Sequence, residues 1–356
     1  MVIPNFFIIG SKTERPSSNK TIFADGSADK TYRDGVDLEL SHWIPNRTPE
    51  RYRADTSTEI CMKFVAGQST DGWDLAINNH LDADGVLAVF VLVHAEFALR
   101  HRETIVRAAE MGDFWGYGER PAQILFQGLT LYMNQLREAK EDIRTIYERC
   151  FEKVIQLIEQ PEQAVETKDG LAALQASLAR VEAGEIKRVQ VSERLVHYAL
   201  PHALVAADLE KALRVPGFNE PLSDTVWLQP AVRCKFDPDA VHLVSAAAAD
   251  GHYYDLWYPG YMWADTEQRW RAPGFGFAGS TNGYYYGHPA LEAAVARLQE
   301  QEQAAGTWTL AKELSPFSTI PGRNYPVVLS FLNTASQPHP SSLTPQQVLA
   351  ELLAAF

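Results

Sequence analysis

The first 80 residues alternate short apolar runs with polar turns, a pattern typical of strands in an α/β domain. Strands are predicted at residues 21–24, 36–43 and 73–79, and each is closed by a turn or a polar cluster. A helix is predicted to begin after residue 55, with Asp55 or Ser57 as its N-cap and with Ile60 and Phe64 among its apolar positions. This part of the chain is therefore predicted to carry polar groups at strand ends.

The pattern becomes helical from residue 86 onward and mixed after residue 186. Helices are predicted at residues 86–100, 103–111, 122–159, 171–183, 289–305 and 345–355, and strands at 189–198, 226–232, 242–248 and 252–258. The predicted fold class is α/β. A strand-plus-helix domain over residues 1–185 carries the candidate catalytic groups, and a smaller α+β domain rich in aromatics covers residues 186–356.

The amino-acid composition and net charge argue against several classes of protein. The chain has 356 residues, 46% of them hydrophobic, so it can bury a sizeable core, and its formal net charge of −13 argues against long nucleic acid as a partner. The longest apolar stretch, residues 86–99, is too short to span a bilayer. Three widely spaced cysteines indicate neither a disulfide framework nor a CxxC zinc site, so a cytoplasmic location is predicted.

The most informative segment reads His80-Leu-Asp82-Ala-Asp84-Gly85 and directly precedes an apolar helix. Alternate spacing would place the imidazole and both carboxylates on one side while the backbone is extended. Such a group needs a compensating cation, and oxygen-rich ligands with one nitrogen suit Mn²⁺, Mg²⁺ or Fe²⁺. The alternative is an Asp-rich turn in which Asp82 is only an N-cap and His80 a core residue.

The same run resembles the first motif of two enzyme families. Asp82-Ala-Asp84-Gly-Val resembles the start of haloacid-dehalogenase phosphatases, but His80–Gly85 with the apolar helix after it resembles more closely the first motif of DHH phosphoesterases, which include RecJ-like nucleases. The Gly-Asp113 segment is similar to the one that supplies a later metal-binding aspartate in some of those proteins. The Asp-His-His tripeptide of that family is absent from this chain.

The resemblance implies a metal-dependent hydrolase, most simply a phosphoesterase. Asp25 and His42 follow predicted strands and could fill the places of the missing motifs if the motif order were permuted. The implied arrangement holds two divalent cations, Mn²⁺ being favoured, with Asp84 and His42 in catalytic roles. The complete set of predicted ligands is His80, Asp82, Asp84, Asp113, Asp25 and His42.

Two further residues are candidates for contact with a small phosphorylated or nucleotide-like substrate. Arg47 could bind a phosphate or carboxylate in a bidentate manner, or it could simply belong to a capped loop. His288 precedes a Pro-started helix in a loop faintly similar to the substrate-phosphate loop of the DHH-associated domain. The aromatic stretch from Tyr253 to Trp263 could stack on a base or form core and interface.

Other functions remain open at the level of sequence. The same ligands would serve a dinuclear oxidase or a C–N hydrolase, and a non-catalytic protein that binds a small ligand is the alternative of a different class. A homo-oligomer is also compatible with the sequence.

Overall fold

The chain folds into two compact units that do not follow a single boundary. The computed structural model describes residues 3–67, 72–266, 276–277, 286–287, 289–311 and 320–356. The first unit comprises Met1–Leu171 with the short segments Phe218–Leu222 and Ala264–Arg269, and the second comprises Ala172–Gly217, Ser223–Trp263 and Trp270–Phe356. The first unit thus includes two segments from the second half of the chain.

A four-stranded parallel sheet forms the centre of the first unit. Its elements are β1 (Asn5–Ile8), β2 (Thr21–Ala24), β3 (Leu38–Leu40), helix α1 (Ser57–Gly67) and β4 (Leu75–Asn78). The strand order is β1-β4-β2-β3 and all of the pairings are parallel, with Ile22 opposite both Leu38 and Ala76. Because parallel strands share a direction, the carboxyl ends of β2, β3 and β4 meet at one edge of the sheet.

The helices of the first unit are α2 (Ala83–Val93), α3 (Ala95–Arg100), α4 (Arg102–Phe114), α5 (Arg120–Glu138) and α6 (Ile143–Glu159). Helix α7 (Lys168–Glu182) follows, and its residues from Ala172 onward belong to the second unit. Helix α2 is apolar all round and almost entirely buried, as expected of a helix inside the core. The prediction of one helix over residues 122–159 is wrong. Lys140 adopts a left-handed φ of 56°, and Asp142 then caps α6 by accepting a hydrogen bond from the Arg144 amide at 3.1 Å. The prediction for 86–100 also needs correction, because the helix breaks at His94.

The second unit contains a six-stranded mixed sheet. Its elements are β5 (Lys187–Gln190), β6 (Leu195–Leu200), α8 (His202–Ala207), α9 (Leu209–Leu213), α10 (Pro230–Phe236), β7 (Val241–Ala247), β8 (His252–Trp257), β9 (Gly276–Phe277), β10 (Tyr286–Gly287), α11 (Pro289–Gln301), β11 (Thr307–Leu310), β12 (Val327–Leu332) and α12 (Pro345–Leu352). The strand order is β11-β12-β8-β7-β6-β5, and only β6 and β7 are paired in parallel. Strands β9 and β10 form a separate pair.

Two sequence predictions fail in this unit for local reasons. The predicted strand at 226–232 is absent, because Pro230 opens α10, a first-turn position that proline favours. The predicted strand at 189–198 is a hairpin of β5 and β6. Short 3₁₀ turns complete the described structure at Glu50–Tyr52, Pro161–Gln163, Val165–Thr167 and Gly260–Trp263.

The aromatic stretch that begins at residue 253 is largely buried where it is described. Tyr254, Trp257, Tyr258, Tyr261 and Trp263 are each no more than 5% exposed, so these side chains belong to a core. The predicted α/β class, with an aromatic-rich second half, is confirmed. Within the described residues, no helix has both the length and the apolar character needed to cross a membrane.

Candidate metal centre

Acidic and histidine side chains converge where β2, β3 and β4 end. Asp25 follows β2 directly, His42 lies two residues after β3, and the polar run that begins at Asn78 ends β4. Asp25 has a left-handed φ of 54° and is followed by Gly26 at 70°, so the chain turns sharply at the strand end. The carboxyl edge of a parallel sheet is where α/β proteins commonly place their ligand sites.

Asp25 lies at the centre of the cluster and is 2% exposed. Its Oδ1 accepts hydrogen bonds from Ser57 Oγ at 2.8 Å and from Trp43 Nε1 at 3.0 Å. Its Oδ2 lies 2.8 Å from His80 Nε2. Burial opposes ionisation, but the charges of His80 and His42 outweigh it and hold the pKa of Asp25 well below its ordinary value. The two carboxylate oxygens therefore face different partners.

His42 presents one ring nitrogen to three carboxylates. Its Nδ1 lies 2.6 Å from the Asp55 carbonyl, which can only accept, so Nδ1 carries a hydrogen. The other nitrogen, Nε2, lies 3.6 Å from Asp25 Oδ1, 3.7 Å from Asp84 Oδ2 and 3.5 Å from Asp113 Oδ2. These distances exceed an ordinary hydrogen bond. Because Nδ1 is hydrogen-bonded to the Asp55 carbonyl, Nε2 is the ring nitrogen that faces the carboxylates, with either a lone pair or a proton.

Asp84 joins the cluster to the N-terminus of α1. Its Oδ2 accepts from the Ser57 amide and its Oδ1 from the Thr58 amide, both at 2.8 Å. Two amides that would lack a partner within α1 are satisfied in this way, and the helix dipole favours the negative charge. Burial, followed by the charge of Asp25, nevertheless raises the pKa of Asp84 to about 6. The expected caps of α1, Asp55 and Ser57, are replaced by Asp84 and by Thr56, whose Oγ1 accepts from the Glu59 amide at 3.0 Å.

His80 and Asp82 form the other side of the cluster. His80 Nε2 lies 3.1 Å from Asp82 Oδ2. On the opposite side of the ring, Nδ1 lies 2.8 Å from Asn79 Oδ1, and the Asn79 amide nitrogen donates to the Ser27 carbonyl at 3.2 Å. That second bond fixes the amide orientation, so Nδ1 is the donor and Nε2 faces the carboxylates. Burial lowers the pKa of His80, but the charges of Asp82 and Asp25 raise it well above its ordinary value.

Asp82 is both an N-cap and a cluster member. Its Oδ1 accepts from the Gly85 amide at 2.7 Å, which caps α2, while its Oδ2 faces His80. The two interpretations of the Asp82–Gly85 sequence are therefore compatible in the structure. The expectation that His80, Asp82 and Asp84 share an extended side is wrong in detail, since α2 already begins at Ala83.

Gly85 keeps space open inside the cluster. A β-carbon at this position would lie 2.6 Å from Asn78 Nδ2, 3.0 Å from Asp82 Oδ1 and 3.1 Å from Asp25 Oδ2. Asn78 Nδ2, beside this space, is buried and has no hydrogen-bond partner among the described residues. Buried polar atoms left in this state indicate a missing partner.

Asp113 reaches the cluster from α4 and is held by a residue distant in sequence. Asn219 Nδ2 donates to Asp113 Oδ1 at 3.2 Å, and Asn219 Oδ1 accepts from the Ala83 amide at 2.9 Å. The backbone N–H of Asn219 also donates to the Gly112 carbonyl at 3.2 Å. A β-carbon on Gly112 would lie 2.4 Å from Asn219 Oδ1, so the two residues pack closely. Burial, then the charges of Asp82 and other carboxylates, raise the pKa of Asp113 well above its ordinary value.

The donor atoms form two groups that share Asp25. Asp25, His80 and Asp82 make one group, and Asp25, His42 and Asp84 make the other, with the donor atoms of each within 4.8 Å of one another. Buried carboxylates this close repel one another unless a cation lies among them. These buried Asp and His groups could hold a metal ion.

A family model describes almost all of this chain: it matches residues 8–356. The chain belongs to the family of unknown function DUF6687. No curated protein and no solved structure matches it.

Of the two substrate-binding candidates of the DUF6687 chain, Arg47 is not brought to the cluster by any described contact. The Arg47 side chain is 60% exposed, lies 3.4 Å from Glu39 Oε2 and stacks over Tyr32 at 4.9 Å. These contacts match the interpretation of Arg47 as part of a structured loop. His288 lies outside the described residues.

Sequence reasoning missed several residues that position the cluster in the DUF6687 chain. Ser57, Trp43 and Asn219 donate to its carboxylates, and the buried Tyr147 on α6 donates to the His80 carbonyl at 2.7 Å. None belongs to a motif, and Asn219 and Tyr147 are distant in sequence. Only Ser57, a predicted cap of α1, and Trp43, the neighbour of His42, carry a local sequence signal.

Proposed function

We propose that this DUF6687 protein is a metal-dependent hydrolase, most simply a phosphoesterase that acts on a small phosphorylated or nucleotide-like substrate. The observation that supports the proposal is the position of Asp25, whose two carboxylate oxygens face two separate groups of donor atoms. A carboxylate that bridges two groups is a recurrent element of sites with two cations about 3.5–4 Å apart. We propose two divalent ions here, with Mn²⁺ favoured over Mg²⁺ or Fe²⁺.

The distances around His42 support a cation in the group formed by Asp25, His42 and Asp84. Ligand atoms that share a cation at about 2.1 Å lie roughly 3.0–3.4 Å apart in octahedral or tetrahedral geometry. The separations of 3.5–3.7 Å from His42 Nε2 to the carboxylate oxygens are close to this range and too long for direct hydrogen bonds. The Nδ1–H bond to the Asp55 carbonyl orients the ring for ligation through Nε2.

Divalent cations bound in these groups would neutralise charge on a phosphate ester and lower the pKa of an attacking water. The chain's own contribution is positional. The α1 amides hold Asp84 in place, Asn219 holds Asp113, and the Asp55 carbonyl fixes the His42 tautomer. Rigid ligands of this kind keep the reacting groups aligned without reorganisation during the reaction.

The substrate proposed is small rather than a long nucleic acid. The chain carries 45 acidic and 32 basic residues, so bound cations rather than surface lysines and arginines would attract an anion. Arg47 is retained as a candidate for substrate contact because its side chain is mostly exposed. A cytoplasmic location is proposed as well, and the buried thiols of Cys61 and Cys150 agree with a reducing compartment.

The test combines metal binding with turnover. Protein stripped with EDTA is titrated with Mn²⁺ by calorimetry and then assayed with bis(4-nitrophenyl) phosphate and with nucleotides. We expect Mn²⁺ to bind and to support hydrolysis. Asp25→Asn should weaken both, with activity reduced about 100-fold or more, because the residue belongs to both groups.

Asp142→Asn is the matched control, because Asp142 caps α6 and takes no part in either group. Wild-type protein that binds no Mn²⁺ at millimolar concentration would refute the proposal as a whole. Mn²⁺ binding without hydrolysis of any phosphate ester would refute the phosphoesterase assignment. That result would favour a different dinuclear enzyme or a non-catalytic binding protein.

A further inference from the structure

One face of the second unit's sheet, beneath α10, carries a cluster of buried charged and aromatic side chains. His242 on β7 is paired with Trp257 on β8, and Asp255 lies two residues before Trp257 on the same strand. Because side chains alternate along a strand, these three residues share one face. Arg233 on α10 lies over this face, with its guanidinium carbon 3.9 Å from the centre of the Trp257 ring.

The charges in this cluster do not balance. Arg188 binds Asp237 in a bidentate manner, with Nε to Oδ2 at 2.7 Å, and Arg323 binds Asp255 in the same way, with Nε to Oδ1 at 3.0 Å. Arg233 is the third arginine and is 2% exposed. Among the residues that the structure describes, no carboxylate lies within ion-pair distance of it. Three cations therefore share two anions.

His242 cannot supply the missing negative charge and is itself neutral. Arg233 can only donate, so the contact of its Nη1 with His242 Nδ1 at 3.2 Å makes Nδ1 an acceptor. The Asp237 carbonyl can only accept, so His242 Nε2, at 2.8 Å, carries the hydrogen. Burial, followed by the charge of Arg233, accordingly lowers the pKa of His242 to about 3.

Two donors in the same cluster are left without an acceptor. Arg233 Nε and Trp257 Nε1 are buried and have no hydrogen-bond partner among the described residues. Trp257 is 5% exposed, so water does not readily reach its indole nitrogen. A buried charge without a counter-ion and a buried donor without an acceptor both cost stability. A single anionic hydrogen-bond acceptor would satisfy both groups, because it would neutralise the charge of Arg233 and accept from the Trp257 indole.

We propose that the second unit binds a small oxyanion, of the size of a phosphate group, against Arg233 and Trp257. The guanidinium edge suits an oxyanion because its planar donors match the spacing of two oxygens. The neutral His242 and the bidentate pairs of Arg188 and Arg323 hold the surrounding charges in place. The excess of one positive charge is what the ligand neutralises.

The test measures thermal unfolding of the full chain against inorganic phosphate at constant ionic strength. Wild-type Tm should rise with phosphate concentration, as expected when a ligand binds only the folded state. Arg233→Met and Trp257→Phe should each need a phosphate concentration at least about tenfold higher than wild type needs to reach the same increase in Tm, because each variant loses a donor to the anion. Phosphate also stabilises proteins non-specifically, so the exposed Arg194→Met serves as the matched control and should respond as wild type does.

A second measurement covers the case in which Arg233→Met does not fold. With ¹⁵N-labelled tryptophan, the Trp257 indole N–H signal of wild type should shift on addition of phosphate and saturate. Asp84→Asn should retain this shift, which separates the anion site from the proposed metal centre. An indole signal that does not move, or equal phosphate responses in wild type and Trp257→Phe, would overturn the proposal.

Discussion

Removal of the Asn219 side chain gives a sharp test of how the candidate metal centre is built. Asn219→Ala deletes the donor to Asp113 Oδ1 and the acceptor of the Ala83 amide in one step. A hydrogen bond contributes about 0.5–1.5 kcal/mol when Asp113 is neutral and about 1.5–3 kcal/mol when it is ionised, and a buried amide left without a partner costs about 1–3 kcal/mol. Some of this loss is offset, because Asp113 can relax, so we expect the free energy of unfolding to fall by about 2–4 kcal/mol.

The effect on metal binding should exceed what lower stability alone explains. Residues that orient ligands through hydrogen bonds typically change metal affinity by 10- to 100-fold. We therefore expect Asn219→Ala to weaken Mn²⁺ binding about 10- to 100-fold at a temperature where the variant remains folded. Calorimetric titration of EDTA-treated protein gives the affinity, and urea unfolding followed by circular dichroism gives the stability.

The matched control is Asn324→Ala in the second unit. Asn324 Nδ2 donates to the Val215 carbonyl at 3.2 Å, the same length as the bond from Asn219 to Asp113. This control should lose stability and keep wild-type Mn²⁺ affinity. If Asn219→Ala binds Mn²⁺ as tightly as wild type does, then Asp113 does not depend on Asn219 for its position, and our account of this ligand is wrong.

Three further predictions address other features. Gly85→Ala should abolish Mn²⁺ binding, since a β-carbon would lie 2.6 Å from Asn78 Nδ2, whereas Gly67→Ala, where space is open, should bind normally by calorimetry. Because burial lowers the pKa of His242 from 6.5 to about 3, the unfolded chain takes up a proton that the native state does not. Stability should thus be lost as pH falls, by about 3 kcal/mol between pH 7 and pH 4, and parallel urea-derived pH curves for wild type and His242→Gln would contradict this. Lys140→Gly should stabilise the chain by about 1 kcal/mol by relieving the left-handed φ of 56°, and a lower Tm would count against that strain.

The sequence predicted the cluster well where polar residues follow strands. Residue type and strand-end position alone predict Asp25 and His42, and the structure places Asp25 Oδ2 2.8 Å from His80 Nε2 and Asp25 Oδ1 3.6 Å from His42 Nε2. Neighbouring parallel strands end at the same edge of the sheet, so residues that follow such strands lie near one another even when they are distant in sequence. The ligand roles of these residues stay predictions until a metal is measured.

Other parts of the fold could not be predicted for physical reasons. The break between α5 and α6 depends on a left-handed Lys140, and the polar residues around it match an exposed helical face equally well. The place of Asn219 depends on a chain segment that returns to the first unit, which no local pattern encodes. The use of Asp84 as the cap of α1 is likewise a contact between residues distant in sequence.

The distribution of the cluster along the chain has a consequence for the order of synthesis. All six acidic and histidine side chains lie between residues 25 and 113, whereas Asn219 follows Asp113 by 219 − 113 = 106 residues. At typical translation rates of 5–20 residues per second, the ribosome needs about 5–20 s to reach it. During that interval the nascent chain carries the full donor set without the amide that holds Asp113. A cation bound by the nascent chain would therefore be captured before Asn219 can hold Asp113 in its final position.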